Sequence, residues 1–182
     1  TLRFNGSGYH SVNYHRPVTD RNYLSNSGPK IESFLIFKNS KDNHLGVPLP
    51  AGRVRVNTTD PTDKSLEFIG EDSIDHTPKN QSITLKLGNS FDVTGERKQS
   101  QFQLLKNNII EQFEITISNQ KTTSQQVEII EPLYRWSNWQ ITQHNEEYDK
   151  IDAATIRFVL EIPAESKKTL TYTVQYQWPE KS

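Results

Sequence analysis

Short runs in which apolar and polar residues alternate constrain this chain more than any other feature. Residues 113–118 read Phe-Glu-Ile-Thr-Ile-Ser, so Phe113, Ile115 and Ile117 share one face of a strand. Residues 170–176 alternate in the same way. Only residues 104–110 carry a short helical pattern. The runs predict strands at 31–39, 52–58, 65–72, 82–87, 91–99, 113–119, 125–134, 136–142, 154–162 and 169–178.

Composition supports thin layers of sheet. Apolar residues make up 32% of the 182 residues and the mean hydropathy is -0.77, so few apolar side chains must form the core. Alternation places such residues efficiently between two sheets. We therefore expect an all-β protein, an antiparallel β-sandwich.

Two immunoglobulin-like sandwiches in tandem fit the length, since each takes about 100 residues and seven strands. Residues 34–39 resemble residues 114–119, each run ending in asparagine, and a proline-led turn follows later in each half at Pro78 and Pro163. We predict an extended segment over 1–30 with one strand at His10–His15, a first sandwich over 31–100 and a second over 101–182. One large continuous sandwich is the alternative.

Charge and cysteine content exclude several classes of function. Lys and Arg number 21 against 22 Asp and Glu, a net charge of -1, which predicts no nucleic-acid partner. The absence of cysteine excludes disulfides, thiolate zinc sites and thiol nucleophiles. No apolar run approaches the ~20 residues that span a bilayer, so we expect no membrane insertion. The absence of methionine indicates a domain or processed form of a longer protein.

A proline-rich turn stands directly before one predicted strand. Residues 45–56 read Leu-Gly-Val-Pro-Leu-Pro-Ala-Gly-Arg-Val-Arg-Val. Pro50 and Gly52 suit the second and fourth positions of a four-residue turn. In the strand that follows, Val54 and Val56 share one face, and arginines occupy the other. This motif indicates a fold and carries no chemistry.

Four blocks of sequence together resemble the mucoidy-inhibitor-A-like family. They are residues 45–56, 68–78, 87–97 and 133–139, the last with 152–158. The resemblance implies the C-terminal domain of unknown function of such proteins, an all-β module that follows an N-terminal domain and a coiled-coil-like segment. It also implies a bacterial protein, periplasmic or secreted, and it supplies no catalytic residue.

Two groups of residues are candidate sites. Asp72, Asp75 and His76 concentrate oxygen and nitrogen ligands that could hold a divalent cation. The alternative is a structural turn, because Asp72 and Asp75 point to opposite faces of an extended chain and His76 enters a proline turn.

The second candidate group is aromatic. Tyr134, Trp136 and Trp139 could form a platform on which a sugar stacks. The alternative is core packing, since large rings in strands usually fill the space between sheets.

No catalytic motif stands out. Carboxylates such as Glu131 are too numerous to single out a hydrolytic pair. The charged residues Glu96-Arg97-Lys98 are interpreted as a solvated rim that keeps an edge strand from pairing with other molecules. We expect a noncatalytic structural or protein-interaction module with no cofactor, which binds a protein partner or other domains of its own polypeptide. A carbohydrate-binding module and a metal-assisted hydrolase are the alternatives.

Overall fold

A computed structural model describes residues 1–6, 16–24, 30–60 and 62–179. About 62% of the described residues lie in strands and 2% in helix. The predicted strand His10–His15 lies outside the described residues. The described strands are β1 (Leu2–Asn5), β2 (Ile31–Lys38), β3 (Gly52–Thr59), β4 (Leu66–Ile74), β5 (Ser82–Asn89), β6 (Val93–Leu104), β7 (Asn108–Asn119), β8 (Gln125–Pro132), β9 (Trp139–His144), β10 (Tyr148–Asp152), β11 (Thr155–Ile162) and β12 (Ser166–Gln177), with a 3-10 turn at Lys41–Asn43.

The contacts divide the chain into two compact units. Unit 1 comprises Thr1 and Glu32–Ser90, and unit 2 comprises Leu2–Ile31 and Phe91–Ser182. The arrangement as tandem or continuous sandwiches, with the boundaries proposed above, stays a prediction. Within the described residues, no helix has the length and apolar character needed to cross a membrane.

Unit 2 is a sandwich of two sheets. One has the strand order β10-β11-β8-β1 and the other β6-β7-β12-β9; β1 and β8 are parallel and the remaining pairs are antiparallel. Every second residue of β7 is buried, including Phe113, Ile115 and Ile117. The rings of Phe158 and Tyr172 come from opposite sheets and lie 5.6 Å apart. The predicted all-β antiparallel sandwich is confirmed.

Close approach of the two sheets depends on a glycine. A Cβ at Gly95 in β6 would lie 2.3 Å from the ring of Phe4 in β1. No side chain fits there without displacing that ring, which is itself fully buried.

Unit 1 has a much smaller apolar interior. Its strand pairs are β2 with β5 and β3 with β4, both antiparallel. Among its described large apolar side chains, only Ile83 and Leu85 are buried.

A buried asparagine occupies the same local setting in each unit. Asn39 follows β2 and donates to the carbonyl of Pro78 at 3.0 Å; Asn119 ends β7 and donates to the carbonyl of Pro163 at 3.0 Å. In both cases the amide nitrogen reaches further carbonyls and the amide oxygen accepts a backbone N–H. Each asparagine thus ties the end of its strand to a proline-led turn.

Candidate functional site

Strands β3 and β4 form a two-stranded antiparallel ribbon, which we call the β3–β4 ribbon (residues 52–74). Pairing runs from Gly52 opposite Ile74 to Thr59 opposite Leu66, with Ile69 as an extra residue in β4. The loop at its tip is held by Asp60, whose carboxylate accepts the backbone N–H of Thr62 at 2.6 Å. That bond lowers the pKa of Asp60.

One end of the ribbon is fixed to β5. The carboxylate of Asp72 accepts the backbone N–H groups of Lys86 and Ser73, each at 2.8 Å, and these bonds lower the pKa of Asp72. A Cβ at Gly70 would lie 2.6 Å from the carbonyl oxygen of Leu87, so the crossing strands nearly touch there.

Between Gly70 and the loop at the tip of the ribbon, β4 exposes apolar side chains. Leu66 is 72% exposed, Phe68 58% and Ile69 45%. The guanidinium of Arg55 lies 5.8 Å from the centre of the Phe68 ring. Grouped apolar exposure of this kind marks surfaces that bind other molecules.

The opposite edge of the ribbon, along β3, carries two arginines. Arg53 and Arg55 are about 70% and 72% exposed, and both pair with one carboxylate, that of Glu71, at 3.3 and 3.1 Å. Val54 and Val56 occupy the other face and are half-buried. The alternation predicted for residues 52–58 is thus present in β3.

The proline-rich turn before β3 borders an open depression of about 430 Å³. A bridge between Leu49 and Thr77 brings the two sides of this turn together. The backbone N–H of Ala51 lies 3.3 Å from Nδ1 of His76, which accepts it. The lining consists of Pro48, Leu49, Pro50, His76, Thr77 and Pro78.

The candidate metal ligands have other roles in these contacts. Asp72 fixes β4 to β5 and His76 accepts the N–H of Ala51, while the Asp75 backbone carbonyl accepts the Thr77 hydroxyl at 2.8 Å. Across the part of the chain that the structure describes, no three His, Cys, Asp or Glu side chains gather in a way that could hold a metal ion. Metal binding at Asp72, Asp75 and His76 stays a prediction.

The three candidate sugar-binding aromatics do not form one open platform. Tyr134 is buried and its hydroxyl donates to the carbonyl of Tyr23 at 3.1 Å. Trp136 is half-buried against the core of unit 2. The Trp139 indole donates to the carbonyl of Ala153 at 2.9 Å, and the Lys150 ammonium lies 4.7 Å from its ring centre. Sugar binding by these residues stays a prediction.

Sequence reasoning missed a buried charged network in unit 2. Arg97 and Glu131 have no exposed side-chain surface and pair at 3.0 Å; Arg135 and Glu111 are equally buried and pair at 2.7 Å. The hydroxyl of Tyr172 donates to Glu131 at 2.5 Å. The interpretation of residues 96–98 as a solvated rim is therefore wrong for Arg97. Its position on the same strand face as Val93 and Gly95 is the sequence feature that could have indicated its burial.

Electrostatics of this network follow from burial and pairing. Burial alone would lower the pKa of Arg97, but the charge and hydrogen bonds of Glu131, together with the nearby Tyr172 and Tyr134, outweigh burial and raise that pKa. Burial raises the pKa values of Tyr172 and Tyr134. The network therefore holds two buried arginine–glutamate pairs beside tyrosines that stay neutral at neutral pH.

The network also holds the segment 16–24, which we call the N-terminal strap. Arg135 donates to the carbonyls of Val18 at 2.8 Å and Asp20 at 2.7 Å, and Arg97 donates to that of Leu24 at 3.1 Å. Buried arginines thus replace sheet pairing as the attachment of this segment. The two glutamates that pair with these arginines are engaged as well, so the arrangement is suited to a structural role.

Comparison with known proteins gives no relative. No family model matches the chain, and neither a curated protein nor a solved structure is significantly similar to it.

Proposed function

We propose that this protein is a noncatalytic protein-interaction module and that the β3–β4 ribbon is its contact surface. The observation that carries the proposal is the exposure of Leu66, Phe68 and Ile69 together on one ribbon. Each such side chain gains about 1.5–3 kcal/mol when it is fully removed from water. A partner that covers them would recover the part of this free energy that corresponds to their exposed surface.

The carboxylates of unit 2 support a noncatalytic role. Glu111 and Glu131, the two fully buried ones among those that the structure describes, each pair with an arginine. A general acid or base needs a carboxyl group that reaches substrate and titrates near neutral pH. Carboxylates paired with arginines in a closed interior do not reach a substrate.

Two finer assignments belong to the same proposal. We propose that the chain is a member of the mucoidy-inhibitor-A-like family from a bacterial envelope or exported protein, on the sequence blocks given above. We also propose two immunoglobulin-like sandwiches in tandem. The matching settings of Asn39 and Asn119, each bound to a proline-led turn, support a duplicated unit.

Affinity capture from envelope extract tests the interaction role. Wild-type protein serves as bait beside Phe68→Ser and, as a matched control, Phe91→Ser, which changes a 90% exposed phenylalanine outside the ribbon. We expect wild type and the control to retain the same partner and Phe68→Ser to lose it. A partner retained equally by all three baits would refute the ribbon as the contact surface.

A further inference from the structure

Most sheet edges in this protein are interrupted by a β-bulge. A bulge twists an edge strand and breaks the row of N–H and C=O groups that another strand could bind. Strands β5, β6, β9 and β10 lie at sheet edges. Each contains an extra, unpaired residue: Leu87 in β5, Ser100 in β6, Thr142 in β9 and Ile151 in β10.

Strand β3 differs from these four edges. It pairs with β4 over its full length, and the extra residue of that pair, Ile69, lies in β4. No described residue pairs with the outer edge of β3. A Cβ at Gly52 would meet no atom within 4 Å, so one face of the ribbon is open at the start of the strand. Unlike these four edge strands, β3 carries no extra residue of its own.

The side chains of β3 define what would fit beside it. Arg53 and Arg55 share the single carboxylate of Glu71, which leaves one positive charge in excess on that face. Val54 and Val56 give the other face an apolar character. In an added strand, side chains directly opposite lie about 4.5–5.5 Å away, close enough for opposite charges to attract.

We propose that the outer edge of β3 accepts an extended segment of a separate partner protein in which acidic residues alternate with apolar ones. Backbone hydrogen bonds to β3 supply affinity, as in other cases of strand addition. Acidic side chains pair with Arg53 and Arg55, and apolar ones contact Val54 and Val56. This inference rests on the proposed function and specifies its mode of binding.

A second copy of the chain is a poorer occupant. Pairing β3 with another β3 in antiparallel register brings arginines of the two copies onto one face, and like charges directly opposite are destabilising. The excess positive charge therefore favours an acidic partner over self-association.

The test uses the full chain and a synthetic peptide of alternating glutamate and valine, about as long as β3, acetylated and amidated at its ends. One control peptide replaces glutamate by lysine. A second carries N-methyl groups on every residue, which keeps its charge and removes its backbone hydrogen-bond donors along both edges. Calorimetry measures binding, and amide hydrogen exchange reports protection of residues 52–59.

We expect the glutamate peptide to bind and protect β3, and both control peptides to bind at least tenfold more weakly. Arg55→Glu should weaken binding about tenfold, because attraction becomes repulsion. Lys79→Glu, the same charge reversal on an exposed residue of unit 1 outside the ribbon, should change it less than twofold.

Three results would overturn the inference. They are absence of peptide binding, equal binding of the N-methylated peptide, and dimerisation of the chain that protects β3. If capture of a partner still depends on Phe68 but the glutamate peptide does not bind, strand addition is refuted and the interaction role stands. If capture does not depend on Phe68, the proposed ribbon surface itself fails.

Discussion

Breaking the buried pair of Arg97 and Glu131 on one side should destabilise unit 2 strongly. Arg97 makes three hydrogen bonds to Glu131, at 3.0–3.2 Å, and neither side chain reaches solvent. Arg97→Met keeps much of the volume and removes the charge. The carboxylate of Glu131 then stays buried without a positively charged partner and keeps the Tyr172 hydroxyl as a donor, which costs about 3–5 kcal/mol of the free energy of unfolding.

Removing both charges should cost less than removing one. In Arg97→Met with Glu131→Met, no charge stays buried without a partner, and such replacements are often neutral. The Tyr172 hydroxyl loses its acceptor and Leu24 its donor, each worth about 1 kcal/mol. The double variant should therefore be about 1–2 kcal/mol less stable than wild type.

Urea unfolding followed by tryptophan fluorescence measures these changes, because all three tryptophans lie in unit 2. Arg157→Met is the matched control: Arg157 is 38% exposed and pairs with Asp149 at 2.8 Å, so its loss should cost at most about 1 kcal/mol. A cost below about 1 kcal/mol for Arg97→Met, or a double variant as unstable as the single one, would refute the reasoning.

Three further predictions follow from other contacts. Asn119→Ala and Asn39→Ala each remove a buried side-chain amide that donates to three backbone carbonyls and accepts one backbone N–H, and should cost about 1–3 kcal/mol. Urea unfolding measures the cost of Asn119→Ala and amide exchange in unit 1 that of Asn39→Ala; near-neutral effects would contradict the tie between strand end and turn. Gly95→Ala should cost about 1–3 kcal/mol, since its Cβ would lie 2.3 Å from a buried ring, whereas Gly52→Ala should change the melting temperature little. Burial raises the pKa of Tyr176, so above about pH 10 the unfolded chain loses a proton that the folded protein keeps, and stability falls as pH rises. Tyr176→Phe should therefore unfold at higher pH than wild type in an alkaline titration followed by circular dichroism.

Strands with many alternating residues could be predicted from the sequence, and short ones could not. Residues 113–119 fall within β7 and residues 169–177 within β12. Strand β1 has four residues and β10 five, too few for a period of two to stand out. The short helical pattern at 104–110 is wrong: Leu104 ends β6, and the hairpin turn to β7 follows, with the N–H of Leu105 bonded to the carbonyl of Asn108.

The charged network was hidden because burial of a charge depends on a distant partner. Arg97 continues the inward face of Val93 and Gly95, but arginine at such a position normally indicates the end of a strand. Its partner Glu131 is 34 residues away in another sheet. Sequence spacing could not show that the two would meet.

The exposed ribbon could not be predicted for the opposite reason. Alternation in residues 52–58 and 65–72 predicts one buried face for each strand, yet burial depends on whether another layer covers that face. In unit 2 a second sheet does so; on the ribbon, Leu66 and Phe68 remain in solvent. A period-two pattern therefore predicts a strand, but it does not show whether another layer covers the apolar face of that strand.

The distribution of apolar residues ties stability to the proposed function. With 32% apolar residues, the chain has few to use, and unit 2 buries most of its own between two sheets. Unit 1 buries Ile83 and Leu85 but leaves three large apolar side chains exposed on the ribbon. Stability of the isolated chain would favour polar residues at those three positions, because exposed apolar surface promotes aggregation. Covering by a partner removes that disadvantage, and the regular edge of β3 beside them offers such a partner its backbone hydrogen bonds.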